Sequence, residues 1–277
     1  LIFIIIKDKK KMYINYKEMS NNDKLEILKV KDYNEKFHKK KGNLFDLNFK
    51  LLIVGKSQLS GKGTILSNLL LREEKRFYSD DFNDGSDIYI ISATARTDDK
   101  MKTIILNKDI PSSNVFTKFN EDELEVLYDY IQDNFNEAVE EYKESGNEKD
   151  KPKHSLIIFD DMSFDKDLKK SKSIERIFCN GRHIGLNVIL TAQKYTQIPT
   201  CARENATGVI LFASSDKQLD LITEEHNFLD NKKQFKKMVK DHTVKEPHSF
   251  IIFNYSNPFD TMYMNKFFQP IDIKNLV

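Results

Sequence analysis

Apolar residues in this chain fall into short unbroken runs, and longer stretches of mixed polarity separate them. The runs are "FKLLIVG" (49–55), "DIYIISAT" (87–94), "NVFTKF" (114–119), "HSLIIFDD" (154–161), "LNVILTAQ" (186–193), "TGVILFAS" (207–214) and "HSFIIFN" (248–254). Runs this short, without polar alternation, read as strands buried on both faces. Between them the period changes. Residues 62–74 carry Ile65, Leu66, Leu69 and Leu70. From 121 to 142, Leu124, Leu127, Tyr128, Ile131, Phe135, Val139 and Tyr142 recur at three- and four-residue steps, one stripe of a long helix. Residues 171–182 predict a further helix, and 218–242 one or two more. Strands alternating with helices predict an α/β fold: three layers around a mainly parallel sheet. The Lys-rich stretch 1–44, closed by "HKKKGN" at 38–43, reads as an N-terminal arm, residues 45–277 as one domain, and 143–153 as a solvated linker within it.

The first run leads into a loop of specific chemistry. "LLIVGKSQLSGKGTILSNLL" (51–70) reads as strand, phosphate-gripping turn and helix. Glycines there let backbone N–H groups converge on phosphate oxygens. The helix N-terminus adds partial positive charge, and a lysine reaches the β- and γ-phosphates. Gly61 and Lys62 supply that core. The usual spacing, G-x-x-x-x-G-K-[ST], is broken twice. Lys56 stands where the first glycine belongs, with Gly55 one place earlier, and Gly63 takes the hydroxyl position, with Thr64 next. The loop therefore reads as one residue longer. Gly55, Ser60, Gly61, Lys62, Gly63 and Thr64 are the expected contacts to ATP, and Thr64 or Ser60 the hydroxyl that reaches Mg²⁺. The same "GKGT" ending occurs in nucleoside monophosphate kinases.

Two later strand ends fit this loop. "LIIFDD" (156–161) is an apolar strand closed by two acids. In phosphate-loop ATPases such a pair divides the work, Asp160 holding the metal and Asp161 polarising the attacking water. Gln193 closes the next strand. In ATPases with a strand inserted between these two, a polar residue at that place contacts the γ-phosphate.

Composition alters this picture little. Charged residues make up 31% and apolar residues 39% of the 277, a globular balance, and the formal net charge of +1 gives no overall attraction to nucleic acid. Two cysteines, Cys179 and Cys201, build no disulfide framework or zinc motif and fit a reducing compartment. The opening "LIFIIIKDKKKM" is far shorter in its apolar run than the roughly 20 residues that span a bilayer. Translation is expected to begin at Met12 or Met19, and the protein to be soluble and intracellular.

In order, the loop lysine, "IIFDD", "NGRHIGLNVILTAQ" and "CARENATGVILFASSDKQ" resemble the FtsK–HerA superfamily of DNA-pumping ATPases. Within it they resemble most the genome-packaging ATPases of large eukaryotic DNA viruses and virophages, the poxvirus type included. The resemblance covers roughly residues 45–225. It implies a P-loop ATPase domain of the RecA-like kind, assembled as a homo-oligomeric ring around double-stranded DNA and docked on a capsid vertex protein. It places the protein in the viral factory of the host cytoplasm or in the assembling virion. It also implies an arginine acting on the neighbouring subunit's site: Arg203 in "CAREN" or Arg182 in "NGRH", with Arg203 slightly favoured and Arg176 third. Candidate grips on the DNA backbone are Lys39, Lys40 and Lys41; Lys166, Lys169, Lys170 and Lys172; and Lys232, Lys233, Lys236 and Lys237. A conjugation pump, a nucleoside monophosphate kinase and a non-hydrolysing scaffold remain open as alternatives.

Overall fold

Each predicted strand core is apolar on both sides, so helices must cover both faces of the sheet. The computed structural model describes residues 39–56, 60–73, 77–162 and 167–274. The expected start codons and most of the arm lie outside these residues. Eight strands form one sheet: β1 (Lys50–Val54), β2 (Ile88–Ser92), β3 (Val115–Phe116), β4 (Ser155–Asp160), β5 (Leu186–Ala192), β6 (Gly208–Phe212), β7 (Phe250–Asn254) and β8 (Tyr263–Met264). Their spatial order is β3-β2-β4-β5-β1-β6-β7-β8. The first six run parallel, and β7 and β8 close the edge antiparallel.

Alternate residues of β1 face opposite layers. Leu52 and Val54 join one core with the helices α3 (Glu121–Ser145), α4 (Lys172–Asn180), α6 (Asp216–His226) and α7 (Lys232–Thr243). Leu51 and Ile53 join the other with α1 (Lys62–Leu71), α2 (Asp99–Asn107) and the segment from Leu44 to Phe49. The three-layer α/β architecture read from the sequence is the one observed.

Local chemistry sets the helix ends. Asn120 caps α3 by accepting from the amides of Asp122 and Glu123, and Gly146 ends it at φ 63°. Ser171 caps α4 through the Ile174 amide, and Glu121 accepts from both the amide and the hydroxyl of Ser173, tying the two helix starts together. The sequence reading missed α2, α5 (Thr200–Glu204) and β8, and it overran β3, whose ladder to β2 holds only two residues. In α2 the signal was present: Asp98 caps through the Met101 amide, and Met101 and Ile104 are its buried face. It was obscured by the short length and polar flanks.

Asn187, fully buried at the start of β5, aligns the central strands. Its carbonyl oxygen accepts from the amides of Asn48 and Phe49, and its amide donates to the carbonyls of Ser155 and Gly185. The end of the predicted arm packs onto the domain. Lys39 and Lys41 both pair with Asp81 at 2.6 Å, one carboxylate offsetting one of that patch's three positive charges. No helix among the described residues is long and apolar enough to cross a membrane.

Gly208 gives a packing test. A β-carbon there would lie 2.2 Å from the ring of fully buried Phe45. Gly208→Ala should lower unfolding stability by about 1–3 kcal/mol, as overpacking does, and Phe45→Leu in the same background should return part of the loss. Wild-type denaturant midpoints for Gly208→Ala would contradict this packing.

Candidate nucleotide site

The site forms where three parallel strands end together. β5 lies between β1 and β4, with Val54 opposite Ala192 and Phe159 opposite Leu190. The inserted strand expected from the sequence is therefore present, and it brings the loop after β1, the acids after β4 and Gln193 after β5 to one edge.

The two ends of the loop lie tightly together. A β-carbon at Gly55 would sit 2.6 Å from that of Ser60 and 2.8 Å from that of Phe212, so only glycine fits. The Ser60 hydroxyl donates to the Lys56 carbonyl at 2.7 Å. Gly61 turns the chain into α1 at φ 90°, and neither a side-chain cap nor an acidic residue occupies the first turn. The amides there remain available to an anion. Lys62 is half-buried, and its ammonium donates to the Gly55 carbonyl at 2.7 Å. Burial pulls its pKa below the ordinary value, and the charges of Asp161 and Asp160 oppose that shift. Both carboxylates thus act on the same ammonium, and all three residues line one cleft of 1350 Å³ together with Ser60, Gly61, Gly63 and Thr64.

Thr191 organises the acids. Its hydroxyl donates to Asp160 Oδ1 at 2.6 Å and accepts from the Asp161 amide at 3.1 Å. Ser92, paired with Asp160 across the β2–β4 ladder, donates to Oδ2 at 3.3 Å. Burial raises the Asp160 pKa, with Asp161 and Asp98 adding to the rise and the two hydroxyls opposing it. Asp161 adopts φ 51°, a left-handed conformation costing about 1–3 kcal/mol, of the kind held in place at functional sites. Both of its carboxylate oxygens accept from one amide nitrogen: Gln193 Nε2 reaches Oδ1 at 2.9 Å and Oδ2 at 3.0 Å. Thr191 and Ser92 were missed in the sequence, although each is a hydroxyl near the end of an otherwise apolar strand.

The donor set suits Mg²⁺. The ion binds hard oxygen ligands and is usually held by one or two carboxylates with the substrate's phosphates. Asp160, fixed by two hydroxyls, and Thr64 supply that chemistry. No cluster of three or more His, Cys, Asp or Glu exists among the described residues, and this kind of site needs none.

The two arginines part company. Arg203 is turned into its own chain: Nη1 pairs with Glu225, Nη2 donates to Thr200 Oγ1 at 3.1 Å, and its side chain is only 12% exposed. Glu225 also accepts from the Tyr195 hydroxyl, two residues beyond Gln193. Buried His226 bridges the hydroxyls of Tyr195 and Tyr255. A carboxylate can only accept, so His226 Nε2 donates to the Tyr195 oxygen and Nδ1 accepts from Tyr255. Arg182 is exposed before β5, at the opposite end of the strands from Lys62, and its charge adds to the burial that holds Lys50 at about 8. Arg176 is held by Asp129 and Gln132.

A model of the poxvirus A32 protein family matches residues 34–257. The chain belongs to that family. The chain's α/β architecture recurs in solved structures, among them these two. One is the genome packaging NTPase B204 from Sulfolobus turreted icosahedral virus 2 in complex with sulfate, at 17% identity, covering 80% of this chain and 96% of that one with a TM-score of 0.50. The other is EssC (ATPases 2 and 3) from Geobacillus thermodenitrificans, at 13% identity, covering 79% and 39% with a TM-score of 0.50. At these identities the likeness is one of fold. Uncharacterized protein 075L of Invertebrate iridescent virus 6 is 36% identical over 63 residues, and the match spans only 24% of that relative.

The buried histidine makes the A32-family chain sensitive to acid. Burial holds His226 at about 4 against an ordinary 6.5, with the Arg203 charge adding to the shift. The unfolded chain therefore takes up this proton first, and stability should fall as pH drops from about 6.5 to about 4. Urea midpoints at pH 7 and pH 4.5 should converge more for His226→Gln than for wild type. Equal acid losses in both would contradict the assignment. Arg203→Ala strands Glu225 beside Tyr195 and should cost about 2–4 kcal/mol in the same measurement.

Proposed function

We propose that the protein hydrolyses ATP to drive double-stranded DNA into a viral capsid, working as a ring of identical subunits. One observation carries the reading: Lys62, Asp160 and Asp161 converge on one cleft, with Gln193 holding the second acid. Membership of the A32 family supports it, as does a fold shared with a protein described as a genome packaging NTPase.

Each step has a residue. Lys62 exchanges the Gly55 carbonyl for the β- and γ-phosphates. The Gly61–Thr64 amides receive the remaining phosphate oxygens. Asp160 and Thr64 would hold Mg²⁺, whose chemistry is to neutralise charge on the phosphate tail. Asp161 orients the attacking water and draws its proton. Gln193, released from Asp161, reports on the γ-phosphate. The trans arginine in this reading is Arg182, because it is exposed and faces away from its own site, whereas Arg203 is occupied by Glu225. The lysines that follow β4 meet DNA. Lys169 donates to the Thr196 carbonyl beside the β5 exit, so this turn sits against the sensor strand. Lys166 lies outside the described residues. A capsid vertex protein in the assembling virion, within the host cytoplasm, completes the set of partners.

Phosphate release from ATP is the test, with and without duplex DNA and with no nucleotide acceptor present. Wild type should release phosphate faster with DNA. Lys62→Ala should lose about 100-fold or more. Transfer of the γ-phosphoryl group to an added nucleoside monophosphate, with no phosphate released, would mark a kinase, and no consumption of ATP with or without that acceptor a scaffold. Arg182→Ala and Lys62→Ala should each be inactive alone and regain activity when mixed, since one supplies the arginine and the other the intact loop. No recovery on mixing would remove Arg182 from the trans role. Alanine at Lys169, Lys170 and Lys172 should reduce DNA-stimulated release more than basal release; equal loss would contradict a DNA contact there.

A further inference from the structure

One of the loop's departures from the usual motif, Gly63 followed by Thr64, has a structural partner that the sequence did not point to. Lys100, the second residue of α2, crosses the start of α1. Its stem runs over Gly63, where a β-carbon would lie 3.0 Å from Lys100 Cδ and 3.7 Å from its Cβ. Its ammonium ends on Thr64, donating to Oγ1 at 2.8 Å. The adjoining acids are engaged elsewhere: Asp98 caps α2 through the Met101 amide, and Asp99 pairs with Lys102 at 3.0 Å. Lys100 and Thr64 both line the cleft that holds Lys62, Asp160 and Asp161.

These contacts account for the second of the two departures, Gly63 followed by Thr64. A serine or threonine at position 63 would place a side chain in the path of the Lys100 stem, and glycine clears it. Thr64, one residue later, then offers its hydroxyl oxygen to a cation already in place. That oxygen is the one assigned to the metal. An ammonium and a divalent ion on that one oxygen would stand a few ångströms apart, and their charges repel.

We propose that Lys100 is a phosphate-site residue that stands in for the metal: it occupies Thr64 and neutralises the triphosphate when no divalent ion is bound, and gives up that place when one binds. The proposal rests on the nucleotide-site reading above. It assigns the phosphate end of the cleft a cation besides Lys62, contributed by α2 and not by the loop, and a coupling between nucleotide affinity and metal occupancy. Linkage fixes the sign. If removing the ammonium weakens metal-free ATP and leaves Mg²⁺–ATP unchanged, it must tighten Mg²⁺ on the bound nucleotide by the same factor.

Binding of a fluorescent ATP analogue to the full-length chain, in excess chelator and in excess Mg²⁺, reads this directly without turnover. Lys100→Met should weaken metal-free binding about tenfold, change binding in Mg²⁺ less than about threefold, and lower the Mg²⁺ half-saturation of the bound analogue about tenfold. Lys100→Arg, which keeps the charge, should stay within about threefold of wild type in both arms. Lys100 is exposed, and matching thermal unfolding of the variants confirms that the fold is intact. Equal losses in the two arms, or none in either, overturn the stand-in role while leaving the nucleotide site standing. Wild type that binds the analogue in neither arm overturns the nucleotide site itself, and this inference with it.

Discussion

The site depends on the pairing of one strand with two neighbours. Parallel ladders from β1 to β5 and from β5 to β4 bring three strand ends level, and a single hydroxyl, on Thr191, joins the β5 and β4 ends by donating to Asp160 and accepting from the Asp161 amide. A one-residue slip of β5 would move Thr191 to the other face of the sheet and Gln193 away from Asp161. Asn187 opposes such a slip from the far end, where it holds the starts of β1 and β4 with three hydrogen bonds. Catalytic geometry and sheet register are one constraint here.

The cleft as it stands satisfies itself. Lys62 is bonded to Gly55, Thr64 to Lys100, Asp160 to Thr191 and Ser92, and Asp161 to Gln193. A nucleotide must exchange these contacts and not merely fill space, so each bond it replaces lowers the net gain on binding. The arrangement suits a cyclic machine, because product release restores bonds that already exist. Two of the contacts, Lys62 to Gly55 and Gln193 to Asp161, involve the groups on which hydrolysis would depend.

Much of this was legible in the residues. Unbroken apolar runs gave the strands, and the order of loop lysine, paired acids and strand-end glutamine placed Lys62, Asp160, Asp161 and Gln193 at one edge. What escaped was whatever depends on tertiary approach. The Thr191 and Ser92 hydroxyls look like ordinary strand residues until the ladders set them beside Asp160. Lys100 lies far from the loop in sequence and on a helix too short to show a strong period. Arg203, the favoured arginine in the sequence, is occupied by Glu225 across 22 positions, a pairing no local pattern reveals. The glycine at 63 departs from the usual spacing, and the structure shows it as room for a neighbour's stem.

The central claim is that the amine at 62 and the carboxylate at 160 face each other across a triphosphate. A crystal structure with a non-hydrolysable ATP analogue and Mg²⁺ tests it most directly. The account predicts the Lys62 ammonium lifted from the Gly55 carbonyl onto the terminal phosphates, with Asp160 on their opposite side. Phosphates bound elsewhere in the cleft, with Lys62 still on Gly55, would contradict it.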